Sequence, residues 1–136
     1  MLTNASTSPP DANQGESLYE RLGGHDGILK LIQPFYIDVR QHQLLGPIFN
    51  SHIQDWDAHL AKITEFWALQ AGGESKYRGG FAGAHMGLGV QREHFEDWLG
   101  LWEFNNARCL APREAAEMNG LAQQLARRLF TVTRGR

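Results

Sequence analysis

Apolar residues recur at spacings of three and four along most of this chain, and that periodicity constrains the fold more than any other feature. The clearest run comprises Ile28, Leu31, Ile32, Phe35, Tyr36 and Val39. Similar runs follow at Leu60 to Gln70, Phe95 to Trp102 and Ala115 to Phe130. No segment sustains the two-residue alternation of a half-buried strand. The sequence therefore predicts an all-α protein with five or six helices and no internal repeat.

Capping and stop signals divide the first part of the chain into helices. Ser17-Leu18-Tyr19-Glu20 has the spacing of a capping box, and Gly23-Gly24 predicts the end of a short first helix. We expect Asp26 to cap the second helix. Pro34 lacks a backbone donor, so we expect a kink or a break near residues 30–31.

The middle of the chain contains a punctuated apolar run and then a longer helical pattern. Residues 44–49, Leu-Leu-Gly-Pro-Ile-Phe, suit a tight buried corner better than a helix. Asp55 or Asp57 is expected to cap a long helix through about Ala71, which Gly72-Gly73 would end.

A long glycine-rich connection precedes the last two predicted helices. It extends from Gly73 to Gly89, and connections of this length in small domains are often functional. The next helix is predicted from Gln91 to near Leu110, and Pro112 marks the start of the last one.

Composition limits the class of protein. With 136 residues, 42% of them apolar and 21% charged, the chain suits one soluble domain over 16–132, with a disordered extension at 1–15 and a flexible tail at 133–136. A net charge of −2 argues against nucleic-acid or membrane partners. Cys109 is the single cysteine, which excludes an intrachain disulfide and favours a cytoplasmic location. No apolar run reaches the roughly 18 residues of a membrane span, and no signal peptide is evident.

Four residues stand out as candidates for a binding site. His85 lies among small and apolar residues in 79–88, where a neutral imidazole could bind a metal. Tyr36, His59 and Trp98 fall on predicted buried faces of three different helices. Each of them alone is more often an ordinary core or rim residue. Together they form the constellation that a haem pocket requires, with one iron ligand and several donors opposite it.

From about Ser17 to Phe130, the sequence resembles the truncated haemoglobins, most closely their third group. The motifs that carry the resemblance are Gly23-Gly24, Phe35-Tyr36, the run 44–49, residues 55–60 with Phe66-Trp67, Ala84-His85-Met86 and residues 94–99. The resemblance implies a two-over-two helical sandwich around haem b, which is iron protoporphyrin IX. Ile63 replaces the glutamine usual in the first group, and Ala84 replaces the arginine usual in the second.

The resemblance also implies a role for each site residue. His85 would be the proximal ligand and the metal-binding residue. Tyr36 and Trp98 would donate hydrogen bonds to a bound gas, and His59 would add a bond or act as a gate. The other cofactor contacts would be Phe49, Ile63, Phe66, Tyr77, Phe81 and Met86, with Lys62 and Arg78 near the propionates. For those two basic residues a solvated surface position is the more frequent outcome.

The implied function is reversible binding of oxygen, nitric oxide or another diatomic ligand. Nitric oxide dioxygenation or peroxide reduction, supported by a reductase, is left open. The alternative is a non-haem metalloprotein with histidine ligands, such as a hydrolase. Against it, His59 and His85 are far apart in sequence and no carboxylate–histidine helix motif joins them. His94 is a rival iron ligand, but beside Glu93 and Glu96 at a helix start it is better explained by capping or a surface ion pair.

Overall fold

A computed structural model describes residues 15–79 and 91–134, with side chains as far as Leu129. These ranges contain the following α-helices: α1 Leu18–Leu22, α2 Gly24–Gln41, α3 Leu45–His52, α4 Trp56–Gln70, α5 Arg92–Cys109 and α6 Pro112–Arg134. The described ranges contain no strand. The prediction of an all-α protein is confirmed.

Helix α1 has the predicted ends. Ser17 Oγ accepts from the Glu20 backbone N–H, and the Glu20 carboxylate accepts from the Ser17 N–H at 3.0 Å. Gly23 then adopts the left-handed region, with φ of 99°. The cap predicted at Asp26 is wrong, because α2 already begins at Gly24 and Asp26 lies in its first turn. There its carboxylate still interacts favourably with the helix dipole.

Helix α2 continues through Pro34, so the predicted break does not occur. In the turn before the proline, the Leu31 carbonyl accepts a hydrogen bond of 2.8 Å from the Asn105 side chain of α5. Asn105 is fully buried. This tertiary bond ties α2 to α5 one turn before the proline, and the sequence pattern does not reveal it.

The predicted corner at 44–49 is wrong in its conformation, because these residues belong largely to α3. Pro47 is the third residue of that helix, where a backbone N–H has no partner within the helix and its absence costs little. The Leu44 and Leu45 N–H groups donate to His42 Nδ1 at 3.1 and 3.2 Å, which caps the helix. The expected burial holds for Leu45 and Gly46.

The remaining helix ends agree with the predictions. Asp55 caps α4 by accepting from the Ala58 N–H at 3.1 Å. Gly72, with φ of 90°, lies just past its end. Gln91 is the N-cap of α5, which ends at Cys109, and Pro112 is the first residue of α6.

Helix α2 lies at the centre, in contact with α1, α3, α4 and α5, while α5 also packs along α6. A stack of aromatic rings joins α2, α4 and α5. Trp102 is nearly parallel to Trp67 and Trp98, with ring centroids 4.6 and 5.6 Å away. The Phe35 ring meets Trp98 and Trp102 edge-on. The stack therefore holds Trp98 of α5 beside the Phe35-Tyr36 pair of α2.

Both predicted chain ends fall largely outside the described residues. Of the extension 1–15, only Gly15 is described, and the backbone of α6 extends two residues into the predicted tail. No helix in the described ranges is long and apolar enough to cross a membrane.

Candidate functional site

Two of the predicted donors, Tyr36 of α2 and Trp98 of α5, are in direct contact. Tyr36 is 5% exposed. Its hydroxyl accepts a hydrogen bond from the Trp98 side chain. Burial raises the pKa of Tyr36 well above its ordinary value, and the bond from Trp98 opposes part of that rise. The hydroxyl is therefore protonated at neutral pH.

This contact arranges the two donors in series. The indole N–H of Trp98 can only donate, and Tyr36 oxygen is its acceptor. The hydroxyl hydrogen of Tyr36 is not used in this bond and can be donated to a further acceptor. A donor whose own oxygen accepts a hydrogen bond is polarised and donates more strongly. The role expected for each of them, as a donor to a bound gas, stays a prediction, and the structure adds the contact between the two residues.

His59 of α4 lies at the edge of this pair. Its ring meets the Tyr36 ring edge-on at 5.8 Å and the Trp56 ring edge-on at 5.5 Å. The residue is half-buried, and its Nε2 atom is shielded from solvent. The structure thus brings together the three polar residues that the sequence singled out on three helices.

Trp56 belongs to this site and was missed by the sequence reasoning. Its ring lies 5.8 Å from Tyr36, and the Arg40 guanidinium covers it at 4.4 Å in a cation–π contact. One signal could have revealed it. Trp56 precedes His59 by three residues, so the two share a helix face.

Apolar side chains border the polar group. The Phe49 ring lies 5.9 Å from Tyr36. Phe66 is buried and meets the Tyr77 ring edge-on at 5.1 Å. Phe49, Ile63, Tyr77 and Trp98 pack on the core but remain partly exposed. These half-covered surfaces are suited to contact with a further apolar group.

The remaining predicted contacts are either exposed or outside the described residues. Lys62 and Arg78 are exposed at the surface. His85, Phe81 and Met86 lie outside the described residues. His94 has the capping role expected for it, because its Nδ1 accepts from the Gln91 N–H at 2.8 Å.

The donor set fits haem better than a bare metal ion. Over the described ranges, no group of three or more His, Cys, Asp or Glu side chains could hold a metal. A phenol, an indole and one imidazole among aromatic and aliphatic side chains provide few metal ligands. They do provide an apolar wall for a macrocycle and polarised N–H and O–H groups for a small ligand.

Comparison with known proteins agrees with this reading. The model of the bacterial-like globin family matches residues 17–126. The chain belongs to that family. The globin is 42% identical over 83 residues to a group 3 truncated haemoglobin from Campylobacter jejuni. That alignment covers 57% of the chain and 65% of the relative, which is slightly less than two thirds of the relative's length.

Solved structures show the same fold. The crystal structure of a group III truncated haemoglobin from C. jejuni has a TM-score of 0.77 and 34% identity, covering 81% of this globin and 91% of that chain. A truncated haemoglobin from Tetrahymena pyriformis has a TM-score of 0.69 at 22% identity, covering 80% and 93%, and supports the fold alone. The predicted two-over-two sandwich is confirmed, with α2 and α4 forming one pair and α5 and α6 the other. Truncated haemoglobins bind haem b.

Proposed function

We propose that this globin binds haem b and, through it, reversibly binds oxygen or another diatomic gas. The observation that carries the proposal is the buried Tyr36 hydroxyl, which accepts a hydrogen bond from Trp98 in a wall of aromatic side chains. Haem would supply a ferrous iron that binds the gas. His85, in the small-residue segment 79–88, is the residue proposed to hold the iron.

Tyr36 would stabilise the bound gas as a hydrogen-bond donor. On haem iron, oxygen would carry partial negative charge, so the nearby Tyr36 O–H would stabilise it more than it would stabilise carbon monoxide. Burial removes competing water and strengthens this bond. The Tyr36 hydroxyl keeps the proton that it must donate over the whole neutral range, as any tyrosine does, and burial raises its pKa further.

His59 and Trp56 would control access to this donor. The two rings meet edge-on beside Tyr36, and the guanidinium of the exposed Arg40 covers Trp56. A swing of His59 away from Tyr36 would expose the hydroxyl to entering ligands. Trp56 limits the directions in which that swing can occur.

A visible absorption spectrum of the protein purified with haem tests the proposal directly. We expect a Soret band that shifts on reduction and on addition of carbon monoxide. His85→Ala should abolish the parent ferrous spectrum, because it removes the proposed protein bond to iron. His94→Ala is the matched control and should leave the spectrum unchanged, since His94 caps α5. A parent spectrum in the His85→Ala protein would refute the ligand assignment, and absence of any Soret band in the parent would favour a non-haem metalloprotein.

A further inference from the structure

A second polar network lies beside the pocket and joins three elements of the fold. The Tyr19 hydroxyl of α1 and His25 Nδ1 of α2 share a hydrogen bond of 2.5 Å. His25 Nε2 lies 3.1 Å from the Glu65 carboxylate of α4. A carboxylate can only accept, so a neutral His25 carries its proton on Nε2 and accepts at Nδ1 from Tyr19.

Glu65 also holds the segment that follows α4. Its Oε1 atom accepts from the Lys76 backbone N–H at 2.7 Å, and its own carbonyl accepts from Ser75 Oγ at 2.5 Å. Ser75 Oγ in turn accepts from the Tyr77 N–H at 3.0 Å. Three consecutive residues, 75–77, are therefore anchored to one residue of α4.

The turn that precedes this segment is shaped by the same network. The Tyr19 N–H donates to the Ala71 carbonyl at 3.0 Å, which ties α1 to the end of α4. A Cβ atom at Gly73 would collide with the Tyr19 ring, so only glycine allows the backbone to pass there. Tyr19 thus supports the turn on one side and orients His25 on the other.

We propose that Glu65 is a positioning residue for the pocket. Held by His25 and Tyr19, it fixes segment 75–77 and so keeps the Tyr77 ring against Phe66. This inference rests on the proposed function, in which Tyr77 borders the haem. Tyr77 packs against the core but is only partly buried, so the Glu65 carboxylate adds a polar contact that holds the backbone beside its ring.

The chemistry of the anchor allows a discriminating pair of variants. Glu65→Ala removes both carboxylate contacts. Glu65→Gln keeps an oxygen for the Lys76 N–H and can donate to His25 Nε2 if His25 shifts its proton to Nδ1. The glutamine variant therefore retains the geometry without the charge. Glu74→Ala is the matched control, because it removes the same charge from an exposed position beside the same segment.

Two measurements on the full chain test the proposal. The first is amide hydrogen exchange at Lys76 and Tyr77, with and without haem. The second is the rate of haem transfer to an excess of apomyoglobin. Loss of one net hydrogen bond in Glu65→Ala should speed exchange at Lys76 about tenfold. Exchange at Tyr77 should rise as well, and haem should leave several-fold faster. Glu65→Gln and Glu74→Ala should resemble the parent in both measurements.

Unchanged exchange in Glu65→Ala would overturn the anchor. Faster exchange with unaltered haem transfer would overturn its role at the pocket. Circular dichroism of both Glu65 variants detects general unfolding, and rescue by glutamine separates anchoring from loss of charge. If the parent binds no haem, the proposed function fails, whereas the exchange data on the haem-free chain still decide whether Glu65 anchors the segment.

Discussion

Replacing Tyr36 by phenylalanine removes one oxygen atom from the buried side of the pocket and leaves the ring. The hydroxyl accepts a hydrogen bond from Trp98 and would donate one to a bound gas, so its loss removes two consecutive hydrogen bonds. Since Tyr36 is 5% exposed, water cannot readily replace the missing donor. A hydrogen bond to a partly anionic acceptor contributes about 1.5 to 3 kcal/mol, so oxygen should dissociate roughly 10 to 100 times faster from Tyr36→Phe.

The series arrangement predicts a smaller effect at Trp98. Trp98→Phe removes a bond to Tyr36, and the donor that would face the ligand remains. We expect loss of this neutral bond to cost about 0.5 to 1.5 kcal/mol, or roughly 2- to 10-fold in oxygen dissociation. Because Trp98 would act on the gas only through the Tyr36 hydroxyl, oxygen should dissociate little faster from the double variant than from Tyr36→Phe alone.

Stopped-flow dissociation of oxygen and of carbon monoxide from the haem-loaded parent, both single variants and the double variant measures these effects. Carbon monoxide is less polarised and serves as the control for a change in pocket volume, which would alter both gases. Equal oxygen dissociation from the parent and Tyr36→Phe would refute the donor role of the hydroxyl. Independent, additive effects of the two substitutions would refute the series arrangement.

Two further predictions concern stability. The Arg21 guanidinium donates to Glu117 and holds the pKa of that carboxyl below its ordinary value. The contribution of this ion pair to stability should therefore be complete above that ordinary pKa and be lost as the pH falls through the lowered pKa of the folded state. Melting temperatures of the parent and Glu117→Gln should differ most at neutral pH and converge in acid, and a constant difference would contradict this linkage. Gly73→Ala should lower the free energy of unfolding by about 1 to 3 kcal/mol, because the new methyl group meets the Tyr19 ring. The control Gly100→Ala in α5 adds the same methyl group into open space, so it should be neutral or stabilising by up to about 1 kcal/mol. Similar urea midpoints for the two alanine variants would contradict the predicted clash between residue 73 and the Tyr19 ring.

Local features of the sequence determined the helix ends that depend on neighbouring residues. The capping box at Ser17, the cap at Asp55 and the start at Pro112 need only residues within one turn, so their patterns were sufficient. The same holds for helix faces. Tyr36 and Trp98 were expected on inward faces from apolar spacing, and both lie there because a helix has one fixed periodicity.

Tertiary contacts decided the features that the patterns predicted wrongly or omitted. Residues 44–49 look like a corner, but packing of Gly46 on the end of α2 and capping by His42 favour a helix there. Pro34 predicted a kink or a break, but α2 continues past it, and the distant Asn105 ties the preceding turn to α5.

In the candidate site too, some features follow from the local sequence and others depend on tertiary packing. Spacing indicated which residues face inward, but the direction of the hydrogen bond from Trp98 to Tyr36 depends on how α2 and α5 pack. Trp56 looked like an ordinary helix residue until Arg40 and His59 were seen on either side of it. No sequence pattern indicated a role for Glu65, because its partners come from α2 and from the segment after α4. Helix periodicity is a property of the local backbone, whereas the partner of a polar side chain depends on which distant segments pack beside it.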